Sequence, residues 1–109
     1  MASKTPKTGL PTRFVKFQTQ YPALAQALDQ LGAAASSAGP LERKTIELVR
    51  LAIAVGAREQ GAVHSHTRRA LEAGASPEEI RHAVLLSITS IGFPNTMAAM
   101  SWVDDVLEA

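Results

Sequence analysis

Apolar residues recur at three- and four-residue spacing along residues 41–55, which is the period of an amphipathic helix. The stripe consists of Leu48, Leu51, Ala52 and Val55, and it is flanked by Ile46, Val49 and Ile53. Because this apolar arc is wide, it predicts a central helix with neighbours on more than one side. The chain has no convincing strand pattern and no internal repeat, so we predict an all-α fold.

Prolines and polar residues divide the N-terminal part of the chain into a tail and two helices. Residues 1–10 are predicted to form a flexible tail, and residues 11–109 a single helical domain. The first helix begins at Pro11 or Thr12. Pro22 ends that helix and fits the first turn of the next one. This second helix carries three leucines at helical spacing, Leu24, Leu28 and Leu31.

Local signals mark the ends of the remaining helices. The fourth helix covers residues 58–73, and Gly74 follows as a left-handed C-terminal cap. Residues 76–79, with the sequence Ser-Pro-Glu-Glu, have the pattern of a capping box and begin a fifth helix that runs to Ile91. The Gly-Phe-Pro segment at residues 92–94 breaks that helix and opens the last one. The pattern therefore predicts six helices.

Composition limits the classes of function. None of the 109 residues is a cysteine, so disulfides, thiolate metal sites and catalysis by the chain's own thiols are excluded. A net charge of +1, with both signs spread along the chain, gives no electrostatic footprint for nucleic acid. The start of the chain lacks the apolar region of a signal peptide, and the longest apolar run, residues 51–57, is too short to span a bilayer. We therefore expect a cytoplasmic protein that binds neither nucleic acid nor membranes.

Five titratable residues are candidates for chemistry: Glu47, Glu59, His64, His66 and His82. Glu47 lies within a helix, with arginines at i−4 and i+3. This spacing fits a surface salt bridge, and it also fits a carboxylate at the edge of a pocket that exchanges protons. His82 is expected to be a partly buried packing residue.

Three of these residues share the fourth helix. Glu59 and His66 lie on one face, two turns and roughly 10 Å apart along the axis. His64 lies about 200° from His66 around the helix, so the two rings point to opposite sides. This spacing predicts no metal site, and the alternative is a site formed by Glu59, His64 and His66 if the turn is irregular.

Three segments, in this order, resemble the alkylhydroperoxidase D / carboxymuconolactone decarboxylase family. Residues 47–54 are similar to the family's glutamate-bearing helix, and Gly-Phe-Pro at residues 92–94 is similar to its glycine–aromatic–proline break. Between them, residues 66–80 are similar to its core motif, a His-Thr followed by an Ala-Leu, an Ala-Gly and a Glu-Glu-Ile. The resemblance covers about residues 41–107 and implies a compact six-helix bundle of the alkylhydroperoxidase D-like type.

In the peroxidase branch of that family, a glutamate and a histidine relay protons to a Cys-x-x-Cys pair. The resemblance places the glutamate at Glu47 and the histidine at His66, and the two cysteine positions fall on Glu59 and Ala62. Neither of those two side chains can form a sulfenate or a mixed disulfide. The family's disulfide chemistry therefore cannot run in this chain.

The decarboxylase branch acts without cysteines on a small carboxylated lactone and also uses the histidine-bearing helix, although the segment before His66 is closer in length to the cysteine-containing branch. The resemblance thus implies a non-redox enzyme, without a cofactor, that acts on a small organic acid or lactone. His66 would be the general acid or base, Glu47 would orient it or pass protons, and Glu59 would be a second carboxylate. Arg68 or Arg69 could hold a substrate carboxylate, and the favoured alternative is that both are solvated surface charges.

Family members are typically homo-oligomers, often trimers or hexamers, so the resemblance also implies a homo-oligomer. The alternative function is a non-catalytic oligomeric scaffold that binds a ligand or a partner without turnover. The two functions differ in geometry. A catalytic site needs Glu47 and His66 converged, partly buried and beside a cavity, whereas a scaffold would leave them apart or exposed.

The lack of cysteine predicts that the purified protein has no thiol-dependent peroxidase activity. Peroxide consumption in the presence of a thiol reductant should equal that of a protein-free control, because no residue of the chain can be oxidised and reduced in the cycle. A coupled reductant assay measures this. Sustained turnover that follows the protein through purification would contradict the prediction.

Overall fold

The computed structural model describes residues 12–109, and the tail predicted for residues 1–10 and the alternative helix start at Pro11 lie outside this range. All regular structure within the described range is helical, which confirms the predicted all-α fold class. No helix of this range is long and apolar enough to cross a membrane. The chain divides into two compact units, one ending at Pro40 and the other beginning at Leu41.

The first unit contains two helices, α1 (Thr12–Gln20) and α2 (Pro22–Ser36), which meet at Tyr21. Tyr21 leaves the helical region, with φ −132° and ψ 63°, because a residue that precedes proline avoids the α conformation. Pro22 therefore begins α2, as predicted. On these two helices only Ala25 is buried.

The second unit contains five helices: α3 (Arg43–Gly56), α4 (Gln60–Glu72), α5 (Pro77–Leu85), α6 (Ile88–Ile91) and α7 (Phe93–Leu107). The α3 helix packs against both α4 and α5, and α7 packs against α4, α5 and α6. Their apolar stripes meet in a core formed by Leu51, Ala54, Val55, Val63, Ala70, Ala75, Ile80, Val84, Ala99 and Val103. The apolar arc predicted on α3 is only partly covered, because Leu51 and Val55 are buried whereas Val49, Ala52 and Ile53 are exposed.

The fifth helix is shorter than the sequence pattern predicts. It ends at Leu85, and the four-residue α6 begins only at Ile88. At the break, the Ser87 hydroxyl donates to the Val84 carbonyl at 2.7 Å and lies 3.0 Å from the Thr96 hydroxyl on α7. A serine side chain that hydrogen-bonds to a nearby backbone group competes with the backbone hydrogen bonds of the helix. The spacing of apolar residues does not reveal this competition.

The capping box that begins α5 is present as predicted. The Ser76 hydroxyl accepts from the Glu79 N–H at 3.0 Å, and the Glu79 carboxylate accepts from the Ser76 N–H at 2.9 Å. Lys44 of α3 donates to the second carboxylate oxygen of Glu79 at 3.0 Å. One side chain therefore both caps α5 and ties it to α3.

Two helices of the second unit end in the same left-handed cap with different residues. After α4, Gly74 has φ +94°, and the N–H groups of Gly74 and Ala75 donate to the carbonyls of Leu71 and Ala70. This is a Schellman motif with the glycine predicted for it. After α3, the motif repeats with Arg58 at φ +57° in the glycine position. Because Arg58 is left-handed, α4 begins at Gln60 and not at the predicted residue 58.

The cap at Gly74 predicts that Gly74→Val destabilises the fold. A β-branched residue resists a positive φ, so the free energy of unfolding should fall by roughly 1–2 kcal/mol and the melting temperature by about 5–10 °C. Thermal denaturation followed by circular dichroism measures this. The matched control is Gly61→Val, because Gly61 lies within α4 and a side chain there also meets open space. Equal melting temperatures for the two variants would show that the cap conformation carries no cost.

Arg58→Gly, the reverse exchange in the same motif, should raise the melting temperature.

Candidate acid–base site

The helices α3 and α4 bring together two of the predicted site residues. Glu47 of α3 is 8% exposed, although it is a carboxylate. It lies one helical turn before the fully buried Leu51, and His66 precedes the fully buried Thr67 on α4. The core contacts between the two helices therefore hold Glu47 and His66 on facing surfaces.

The buried carboxylate of Glu47 contacts two side chains. His66 Nδ1 lies 3.4 Å from Glu47 Oε1, and Arg50 Nη1 donates to Glu47 Oε2 at 3.5 Å. A carboxylate can only accept, so a hydrogen bond from His66 requires the proton on Nδ1 and leaves Nε2 as the basic nitrogen. The salt bridge to Arg50 at i+3 is present, but it is made by a buried carboxylate and not by one on the surface.

Partial burial lowers the pKa of His66 below its ordinary value of 6.5. The hydrogen bond to Glu47 opposes this lowering, whereas the positive charges of Arg69 and Arg50 add to it. Desolvation disfavours the charged imidazolium, and it outweighs the attraction of the carboxylate. His66 is therefore mainly neutral at pH 7, the form that accepts a proton.

An open pocket of about 270 Å³ adjoins His66. Its lining combines small apolar side chains with three polar ones, and consists of Arg50, Ile53, Ala54, Ala57, Glu59, Ala62 and His66. Its volume lies slightly below the usual range for ligand pockets, and it is open to solvent. The polar groups that a bound molecule would contact are the guanidinium of Arg50, the carboxylate of Glu59 and the imidazole of His66.

Glu59 reaches this pocket from the residue that precedes α4. It is the N-terminal capping residue of the helix, with an extended backbone, and its side chain is exposed. Glu59 and Ala62, the two positions where the resemblance places the family's cysteines, both line the pocket.

The alternative metal site is not assembled. His64 Nε2 lies 2.9 Å from Asp105 Oδ2 of α7, whereas His66 faces Glu47. No group of three His, Asp or Glu side chains within residues 12–109 is close enough to hold a metal ion. The regular helical turn at residues 64–66 places the two rings on different sides, so His64, His66 and Glu59 cannot converge.

His82 differs from its prediction. It is exposed, not partly buried, and it lines a second open groove between α3 and α5 together with Leu48, Val49 and Leu86. The exposed positions at this end of α5 explain the difference, since Leu85 and Leu86 are 45% and 64% exposed. Periodicity could not identify this, because the helix ends there.

The pocket beside His66 is lined by an arginine that the sequence did not single out. Neither Arg68 nor Arg69 lines the pocket beside His66, whereas Arg50 does. The spacing of Arg50, Ala54 and Ala57 along α3 could have indicated one shared face. The sequence does not reveal that this face turns toward His66.

Comparisons with known proteins identify the family to which the chain is similar. The family model described as carboxymuconolactone decarboxylase family matches residues 22–105. The chain is similar to the crystal structure of an apo carboxymuconolactone decarboxylase family protein from Legionella pneumophila, with a TM-score of 0.75 and 28% sequence identity, over 89% of this chain and 87% of that one. It is also 40% identical over 57 residues to an uncharacterized protein of Haemophilus influenzae, and the match covers 52% of this chain and 50% of that relative. The chain thus spans half the length of this curated relative.

The burial of His66 predicts how stability depends on pH. Because its pKa is lower in the folded than in the unfolded chain, the unfolded state binds more protons as the pH falls through 6.5. The contribution of His66 to stability is therefore lost on acidification, and the wild type should lose more stability than His66→Gln between pH 8 and pH 5. Denaturant titrations of the two proteins at both pH values measure the difference, and an NMR titration should give His66 a midpoint below 6.5. A midpoint at or above 6.5 would contradict the burial argument.

Proposed function

Because this chain belongs to the carboxymuconolactone decarboxylase family, we propose that it is a non-redox acid–base enzyme acting on a small organic acid or lactone. One observation carries the proposal. His66 lies 3.4 Å from the buried carboxylate of Glu47 and lines a pocket of about 270 Å³. A carboxylate-oriented histidine beside a cavity is the arrangement that general acid–base catalysis requires.

In this proposal His66 transfers the proton, and Glu47 positions the imidazole ring of His66. The carboxylate holds the Nδ1 proton, so that Nε2 accepts a proton from the substrate or, once protonated, returns it. The imidazolium that forms is stabilised by Glu47, which is 10% exposed at its side chain and therefore weakly screened by solvent. The lowered pKa of His66 favours the base role at pH 7.

Arg50 and Glu59 would act on the substrate at the two sides of the pocket. A guanidinium has five N–H donors in a planar fork, so one arginine can hold both Glu47 and a substrate carboxylate. Arg50 therefore takes the role that the sequence suggested for Arg68 or Arg69. Glu59 is a second carboxylate that lines the pocket. It would favour a substrate with a hydrogen-bond donor or a transferable proton on the side that faces Glu59. Ile53, Ala54 and Ala57 add an apolar wall that favours a small carbon skeleton.

We also propose that the protein is a homo-oligomer. Large apolar side chains of the second unit are exposed, with Ile53 at 66%, Leu86 at 64% and Phe93 at 62%. Covering such side chains in an interface removes apolar surface from water, which favours association. The exposure of these apolar side chains also supports the second candidate function, a non-catalytic oligomeric scaffold. One of them, Ile53, borders the pocket.

The test is a substrate screen with a matched pair of histidine variants. Carboxylated lactones and small carboxylic acids are incubated with the purified protein, and substrate loss is followed by NMR. His66→Ala should lower kcat by about 10²- to 10⁴-fold, the usual contribution of a general acid or base. His64→Ala, on the same helix but paired with Asp105 on another side, should leave kcat within a few-fold. Arg50→Gln should raise KM for anionic substrates.

The outcomes separate the two candidate functions. Ligand-observed NMR measures binding to wild type and to His66→Ala independently of turnover. Binding at the pocket without turnover of any compound would favour the scaffold. Turnover that survives in His66→Ala would remove His66 from the mechanism, whatever the substrate.

A further inference from the structure

Arg58 has a backbone conformation that suits glycine better than arginine. Its φ is +57°, and within residues 12–109 it is the one non-glycine residue with a positive φ. At the corresponding place after α4 the chain has Gly74, with φ +94°. In the left-handed region Cβ lies too close to the following carbonyl oxygen, so an arginine costs free energy there that a glycine would not. Arg58 therefore lowers the stability of the chain unless its side chain makes a compensating contact.

The structure shows no contact of the Arg58 side chain that would offset this cost. Arg58 is exposed, and it belongs to none of the ion pairs among residues 12–109. A cation does interact favourably with the carboxyl end of α3, but this interaction needs no left-handed residue and is equally available at the exposed Ala57. Backbone strain of this kind is concentrated at binding sites, which directs attention to the pocket.

Arg58 stands between two residues that line the pocket beside His66. Ala57 and Glu59 both line it, and neighbouring Cα atoms are about 3.8 Å apart, so the backbone of Arg58 lies at the edge of the opening. The side chain of Arg58 is not itself part of the lining. Its guanidinium is carried on a flexible stem of three methylene groups, and rotations about these bonds can bring it to a bound molecule while the backbone stays in place.

The charges inside the pocket leave a role for a second cation. Of the lining residues, Arg50 is the cation, and it already contacts the carboxylate of Glu47 at 3.5 Å. Glu59 adds a negative charge, and His66 is mainly neutral at pH 7 because burial lowers its pKa. An organic anion in the pocket would therefore be repelled by Glu59. A guanidinium next to Glu59 in the chain offsets this repulsion, and it can donate two parallel N–H groups to a carboxylate.

We propose that Arg58 is a specificity-determining residue that captures small organic anions at the mouth of the pocket. Its guanidinium pairs with the negative group of the ligand and offsets the charge of Glu59. This role rests on the proposed function for the class of ligand, but not on turnover. The strained backbone is the consequence of placing a cation between Ala57 and Glu59, and such a loss of stability in favour of function is common at binding sites.

The test compares ligand binding by the wild type, Arg58→Gly and Arg58→Lys. The probes are benzoate and cyclopentanecarboxylate, each beside its uncharged primary amide, and binding is followed through the chemical shifts of the His66 ring protons. In Arg58→Gly the Kd of both carboxylates should rise about 3- to 10-fold, the size of one solvent-exposed charge-assisted contact. Arg58→Lys keeps the charge, so its Kd values should lie between those of the other two proteins. The amides should bind all three proteins equally.

The matched control is Arg43→Gln, which removes an exposed cation at the other end of α3. It changes the net charge as much as Arg58→Gly does, but about 20 Å away. Salt screens charges over this distance, so the Kd of both carboxylates should stay within about twofold of the wild type. A rise in Kd equal to that of Arg58→Gly would show a general effect of net charge and overturn the role of Arg58.

Thermal denaturation of the same variants supplies a second readout. Arg58→Gly should raise the melting temperature while it weakens carboxylate binding, because a residue that serves binding and not stability is better replaced by glycine in this conformation. A lower melting temperature for Arg58→Gly would show that the arginine stabilises the end of α3, which overturns the proposal.

The binding data also separate this proposal from the proposed function. If the wild type prefers carboxylates to amides and Arg58→Gly keeps that preference, only the role of Arg58 is overturned. If the wild type shows no such preference, an organic acid is the wrong class of ligand, and the role of Arg58 falls with it. Turnover of an uncharged lactone that depends on His66 but not on Arg58 would leave the proposed function in place and overturn this inference.

Discussion

The packing of α3 against α4 is the constraint on which the candidate site depends. Leu51 and Val55 of α3 and Val63 of α4 are completely buried in the shared core. Glu47 lies one turn from this contact and His66 next to it in sequence, so their separation is set by well-packed helices and not by a loop. Two side chains supported by rigid helices keep their relative geometry without a large entropic cost.

The contact between Glu47 and His66 does not involve a cysteine. The two positions where the resemblance places the family's cysteines, Glu59 and Ala62, both line the pocket, and Ala62 also packs against the core. Burial of His66 lowers its pKa, which favours the neutral imidazole.

Stability is distributed unevenly along the described chain. The second unit has a buried core of aliphatic side chains, whereas the α2 helix of the first unit presents Leu24, Leu28 and Leu31 to solvent. Helical spacing identified α2 correctly, because an amphipathic face is a local property. The same spacing could not tell whether that face is covered within one chain or between chains, since both situations select the same residues.

What the sequence alone determined are the features that act within one or two helical turns. The capping box at Ser76 and the left-handed cap at Gly74 follow from such signals, and the lack of cysteine removed a whole class of chemistry. The resemblance to a family added Glu47 and His66 as a pair, although they are 19 residues apart. Only the tertiary structure decided that Arg50 lines the pocket, because this depends on how far α3 is rotated about its axis when it packs on α4. That rotation is set by the summed contacts of two whole helices, which no local pattern of residues specifies.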